Sequence, residues 1–162
     1  MVIKVWRLIT ILSVALVAGL AFAHVLEYEP KIHYSAELYL TLQRTLYVNW
    51  GPPNLGGILE PFAIFSTIVL AVLSRKREKI LYLTLAAVGL LLLAFPVTFF
   101  MLVEPANEVF LKTEPPRIPL NWIDLREEWE LGHALRFGFQ FVALGLLVGS
   151  SLIEEGTDRR SG

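Results

Sequence analysis

The feature that most restricts this chain is the length of its uncharged runs. Leu8–Leu26, Pro61–Ser74, Ile80–Val103 and Phe137–Ile153 contain no Asp, Glu, Lys or Arg. A helix needs roughly 20 residues, at about 1.5 Å each, to cross a hydrocarbon core of about 30 Å. The first and third runs reach that length alone; the other two must take in residues from their flanks. The second span therefore starts near Leu55 and carries Glu60 to the membrane edge. The fourth draws in His133 and Arg136, and Glu130 with them. With 55% hydrophobic and 18% charged residues, a single integral membrane domain is the class that fits. The expected fold is all-α: a four-helix bundle over residues 1–156, an additional amphipathic helix between spans one and two, and a flexible polar tail at 157–162.

Several functions are excluded at this level. The formal net charge is −1, and no basic cluster interleaves with aromatics, so nucleic acid is not an expected partner. There is no cysteine, which removes disulfides, thiolate metal sites and a cysteine nucleophile. Imidazole chemistry must use His24, His33 or His133.

In chain order, Lys4 and Arg7 precede the first span. Ala21-Phe22-Ala23 has the small-x-small form of a signal cleavage site, but the apolar run exceeds a signal peptide's usual length, so an uncleaved span is expected. Tyr34, Leu38, Leu42, Leu46 and Trp50 recur every four residues, which predicts an amphipathic helix opened by Ser35 and stopped by Gly51-Pro52-Pro53. Its aromatics suit an interfacial cap. Arg75–Lys79 forms a basic turn. The third span has Pro96 as its expected kink and ends at Glu104-Pro105. A loop over Ala106–Pro119, containing Pro115 and Pro116, leads to Asn121 as N-cap of the last helix, with Gly156 as its stop. Lys and Arg fall on one side of four spans, which predicts cytoplasmic termini in an inner (plasma) membrane protein.

That topology brings polar residues to one depth at the outer end: His24 and Glu27, Glu60, Glu104 and Asn107, then Glu130 and His133. Glu130, His133 and Arg136 share a helix face, which Gln140 continues downward. Ionisable groups at such depth usually face a bundle interior with partners. His133 is the candidate base, with Glu130 holding its ring and Arg136 stabilising an anion. His24, Glu60, Asn107, Trp129 and Gln140 are candidate substrate contacts, although Trp129 and Trp122 also suit a membrane-interface belt. His33 belongs to an exposed turn.

The chain resembles the anthrone-oxygenase-like family of small four-span membrane proteins. The residues that carry this are Ala23-His24-Val25-Leu26-Glu27, Glu60-Pro61, Pro105-Ala106-Asn107, and Asn121-Trp122 with Arg126, Trp129-Glu130, His133 and Arg136. The resemblance implies a cofactor-independent oxygenase or oxidoreductase acting on a lipophilic phenolic or quinone-type molecule, with the lipid bilayer as the other partner. Two alternatives stand beside it. A metal site for iron, copper or zinc would use His24, Glu27, Glu60, Glu104, Glu130 and His133, as in bundles with Glu-x-x-His pairs. A non-catalytic membrane subunit, carrier or assembly protein would use the same polar cluster to bind a ligand or lock its helices. Gly19, Gly89, Gly145 and Gly149 leave homo-oligomerisation open.

Overall fold

Helix α1 covers Val2–Ile32, α2 Ala36–Thr45, α3 Leu55–Leu73 and α4 Glu78–Leu92. A π-helical stretch, Leu93–Val103, joins α4 directly to α5, Glu104–Lys112, and α6 covers Trp122–Arg160. The computed structural model describes residues 2–114 and 117–160, with side chains as far as Ile153. The described residues contain no strand. Four helical stretches are long and apolar enough to cross a membrane: Val2–Ile32, Leu55–Leu73, Glu78–Lys112 and Trp122–Ile153.

These four stretches pack in a ring. α1 lies between α3 and α6, and α4 lies between α3 and α6 on the other side. Val14, Val17, Leu70, Ala87, Leu91 and Leu147 fill one half of the interior. Tyr39, Phe99, Val103, Phe110 and Trp129 fill the half beneath the short helices. Large apolar side chains also cover the outside: Leu8, Leu12 and Leu16 on α1, and Phe65 and Val72 on α3, are exposed. An apolar exterior continuous over several helices suits lipid rather than water.

The second span begins as expected, with Asn54 preceding α3 and Glu60 buried one turn inside it. Elsewhere the structure corrects the expectation. α1 runs past Leu26 to Ile32, which keeps Glu27 and Lys31 on the face of His24. In α2 the Ser35 Oγ accepts from the Leu38 N–H at 3.3 Å, as a cap should, but the helix ends at Thr45. Its buried residues are Ala36, Tyr39, Leu40 and Gln43, while Leu38 and Leu46 are 44% and 46% exposed. A strict four-residue repeat drifts by about 40° per step around an α-helix, so it cannot remain on one face.

Pro96 produces a π-helical stretch rather than a simple bend. Proline has no N–H for the i→i−4 ladder, and winding with i→i−5 bonds absorbs the gap; Thr98 Oγ1 also donates to the Leu93 carbonyl at 2.8 Å. The expected loop from Ala106 is instead α5. Pro105 sits in the first turn of that segment, where its missing N–H costs least, and Ala106 and Phe110 are buried. Pro115 and Pro116 lie outside the described residues. The last helix starts beside Asn121, whose carbonyl accepts from the Leu125 N–H at 3.1 Å. It continues through Gly156 to Arg160. A stop at Gly156 would need left-handed backbone there, and no glycine among the described residues has a positive φ. Of the expected tail, 161 and 162 lie outside the described residues.

Candidate functional site

Two imidazoles form the centre of the polar region. His24 comes from α1 and His133 from α6, each buried, and their ring centroids are 4.0 Å apart at 43°. Trp129 precedes His133 by one turn, so it shares that face of α6; its ring lies 4.2 Å from His133 and 4.8 Å from His24. Tyr47 and Trp50, from the segment after α2, approach His24 at 4.9 Å and 5.2 Å. Gly132 permits the other side of the contact. A Cβ at that position would meet Val103 Cγ2 at 2.7 Å and Leu102 Cβ at 3.1 Å, so only glycine lets the π-helical stretch lie this close to α6.

The charged groups sort into two pairs. Arg136 of α6 bonds through Nη2 to Glu60 of α3, across the diagonal of the helix ring. Gln140 Nε2 donates to both Glu60 oxygens, at 2.9 and 3.1 Å. The other pair is Lys31 of α1 with Glu130 of α6, Nζ to Oε1 at 3.0 Å. Tyr39 OH donates to the same oxygen at 3.1 Å, and the Lys31 ammonium lies 4.6 Å from the Trp129 ring centre. Glu27 is about one-third exposed and closes this group: Tyr47 OH donates to its Oε2 at 2.5 Å, and Lys31 Nζ is 3.7 Å away. Both phenols stay firmly protonated. Burial first, then the Glu130 charge, raises the Tyr39 pKa; burial first, then its bond to Glu27, raises that of Tyr47.

Glu130 therefore does not hold the His133 ring. Arg136 does, with Nη1 3.2 Å from His133 Nδ1. A guanidinium only donates, so Nδ1 accepts and the ring proton is assigned to Nε2. His24 Nδ1 has no hydrogen-bond partner and lies 3.7 Å from Glu27 Oε2.

A cavity of ≈ 60 Å³ opens onto both imidazoles, and Glu60, Asn107, Trp129 and Arg136 also line it. Gly51, Pro52, Gly56 and Gly57 form part of its wall. That wall is tightly packed, because a Cβ on Gly56 or Gly57 would run into the Trp50 or Pro52 backbone. By volume the cavity holds a few waters, at about 10–15 Å³ each, and falls short of the roughly 150 Å³ that admits benzene. A ring-sized molecule fits only if the cavity widens.

Most expected substrate contacts thus meet in one place: His24, Glu60, Asn107 and Trp129 line the cavity, with His133 and Arg136. Gln140 does not line it; it anchors Glu60. Asn107 Oδ1 accepts from the Trp129 indole N–H at 2.8 Å and orients that ring, while its Nδ2 donates to Glu104 at 3.3 Å. Among the described residues, no three His, Asp or Glu side chains are arranged to hold a metal ion. Of the six ligands expected for that alternative, Glu60 and Glu130 face Arg136 and Lys31, and Glu104 bonds Asn107. Sequence reading passed over Lys31 and took Tyr39, Tyr47 and Trp50 for interface aromatics, not for members of this site. Lys31 had a usable signal, since it lies four residues after Glu27 and seven after His24 on one helical face; the others had none.

Fold and site together define a class: an all-helical protein with four membrane-length apolar helices and a buried histidine pair between two ion pairs. Comparison with protein-family models, with curated proteins and with solved structures finds no match. The resemblance to the anthrone-oxygenase-like family accordingly rests on the residues quoted for it alone.

Proposed function

We propose that the chain is an integral membrane four-helix bundle of the plasma (inner) membrane, with both termini cytoplasmic and α2 at the outer interface. The histidine cavity oxidises a lipophilic phenolic substrate without a bound cofactor, using dioxygen. Support for the membrane reading is the apolar exterior of the four long stretches, together with the exposed Arg75–Lys79 turn that marks one side. The observation that carries the chemical reading is the facing of two imidazoles in one cavity, with the proton of one ring assigned by Arg136.

The base is His24 rather than His133 on this reading, because Arg136 occupies the Nδ1 lone pair of His133. His24, with an unbonded ring nitrogen, takes a proton from the activated CH₂ of an anthrone-like substrate. The His133 Nε2–H and the Arg136 charge stabilise the oxyanion of the resulting enolate. That carbanion equivalent passes its electron pair to dioxygen and forms a C–O bond, and the His24 proton completes a hydroperoxide. Loss of the second C–H proton breaks the O–O bond. The CH₂ becomes C=O, and the distal oxygen leaves as water. Carbon is oxidised, O₂ is reduced, and all atoms are accounted for.

Oxygen uptake by the detergent-purified protein with a panel of anthrone-class phenols tests this. Wild-type protein should turn over, and His24→Ala and His133→Ala should each lose about 100-fold or more, the usual contribution of a positioned acid or base. Absence of wild-type turnover across the panel, or undiminished turnover in both variants, overturns the reading. The small cavity favours a second reading, a non-catalytic membrane subunit or carrier whose polar cluster locks its helices. There, the histidine variants lower the melting temperature while oxygen uptake is absent throughout.

A further inference from the structure

The histidine site makes no use of the basic turn between α3 and α4, although that turn forms part of a second concavity. Arg75, Lys76 and Arg77 line an open groove of ≈ 550 Å³ with Val2, Ile3, Val72 and Leu73. The three cations are exposed. So are the apolar walls: Val2 is 72%, Val72 54% and Leu73 43% exposed. The groove also adjoins the start of α4, where Arg77 supplies no side-chain cap. The first backbone N–H groups of a helix have no partner within it and carry partial positive charge, which favours an anion. Glu78 is the one acidic residue in that first turn; against it stand Arg75, Lys76 and Lys79.

Charge and hydrophobicity therefore lie side by side in one groove. A free anion would use the cations and the helix start and leave the apolar wall bare; a neutral lipid would do the reverse. We propose that this groove binds one anionic phospholipid, with its phosphate between Arg75, Lys76 and the start of α4, and an acyl chain along Val2, Ile3, Val72 and Leu73. The inference rests on the membrane reading above and is independent of the chemistry at the histidine pair.

The test uses the full chain in neutral detergent. Binding of phosphatidylglycerol and of phosphatidylcholine with the same acyl chains is compared by native mass spectrometry and by the rise in melting temperature. Each basic residue near an anionic headgroup strengthens attraction by a factor of roughly five, so two give a preference of up to about 25-fold for phosphatidylglycerol. In the Arg75→Gln/Lys76→Gln variant the preference should fall to a few-fold. The substituted positions are exposed, so circular dichroism should show unchanged helicity; Lys76→Gln alone provides the same comparison, with a smaller drop, should the double variant unfold. Equal binding of the two lipids, or a preference that survives the substitutions, overturns the proposal. Displacement of phosphatidylglycerol by equimolar inorganic phosphate also overturns it, in favour of a soluble-anion site. Alkaline carbonate extraction separates the two levels. A chain released from membranes by carbonate refutes the membrane reading itself, whereas a retained chain without lipid preference refutes only the groove.

Discussion

Glu60→Gln keeps the shape of the side chain at the centre of the site and removes one charge. Glu60 and Arg136 are 5% and 7% exposed, so water screens neither. The substitution leaves a buried guanidinium without its counter-ion, and it offers an amide where Arg136 and Gln140 both seek an acceptor. Breaking one side of a buried pair costs about 3–5 kcal/mol, and replacing both partners with apolar residues of similar size is close to neutral. For a chain of this length, 1 kcal/mol moves the melting temperature by about 2–4 °C. Glu60→Gln should therefore lower it by about 6–12 °C at the lower end of that cost. Melting in detergent, followed through the fluorescence of the four tryptophans, reads this directly. Glu60→Met and Arg136→Met should each fall by a similar amount, and Glu60→Met/Arg136→Met should recover most of the loss, giving a coupling energy of about 5 kcal/mol when each single variant loses about 3 kcal/mol. A Glu60→Gln variant that melts within about 2 °C of wild type, or single losses that simply add in the double variant, would refute the charge pairing.

Alkaline stability should depend on the two buried phenols. Their pKa values are raised in the folded state, so folding favours the neutral form; that contribution is complete below the ordinary tyrosine pKa near 10 and is lost as pH rises above it. The melting temperature should drop above about pH 10, and less steeply in Tyr39→Phe/Tyr47→Phe; an identical drop in that variant would sink the argument. Gly132→Ala should cost about 1–3 kcal/mol, because the new methyl meets Val103 Cγ2 at 2.7 Å, and chemical unfolding with no loss of stability would show that the α6 contact can relax. Single cysteines placed at Arg77 and Glu114 should react with a membrane-impermeant reagent from opposite sides; outside labelling of position 77 reverses the orientation.

Length arithmetic placed α3 correctly. The run from Pro61 is too short to cross a membrane, and the shortfall leads back to Leu55, where the helix begins. The topology built on it brought His24, Glu27, Glu60, Glu104, Asn107, Glu130 and His133 to one depth; His24, Glu60, Asn107 and His133 line one cavity, together with Trp129 and Arg136, while Glu27, Glu104 and Glu130 do not. Their pairing was not legible. Periodicity tells which residues share a face of one helix, but not how that helix is rotated against its neighbours, so Glu130 was assigned to His133, three residues away, rather than to Lys31 on α1. Prolines misled for a related reason. Pro105 reads as a stop by rule, yet at the head of a helical segment it costs little. The π-helical winding before it shifts the register by an amount that no residue pattern announces.

On the proposed function, the two ion pairs account for the chemistry falling to the imidazoles and not to the carboxylates. Lys31–Glu130 joins α1 to α6, and Arg136–Glu60 joins α6 to α3, so the two pairs together set the rotation of three helices around the cavity. In each pair the carboxylate neutralises a buried cation and also accepts a second donor, Tyr39 for Glu130 and Gln140 for Glu60. A carboxylate used in this way has little capacity left to accept a substrate proton. His133 is similarly committed at Nδ1 by Arg136. What remains is the Nε2–H of His133 as a donor and the unpartnered Nδ1 of His24, one group to give a hydrogen bond and one to take a proton. If that division is correct, replacing either carboxylate should be felt first as lost stability, whereas replacing either histidine should be felt first as lost function.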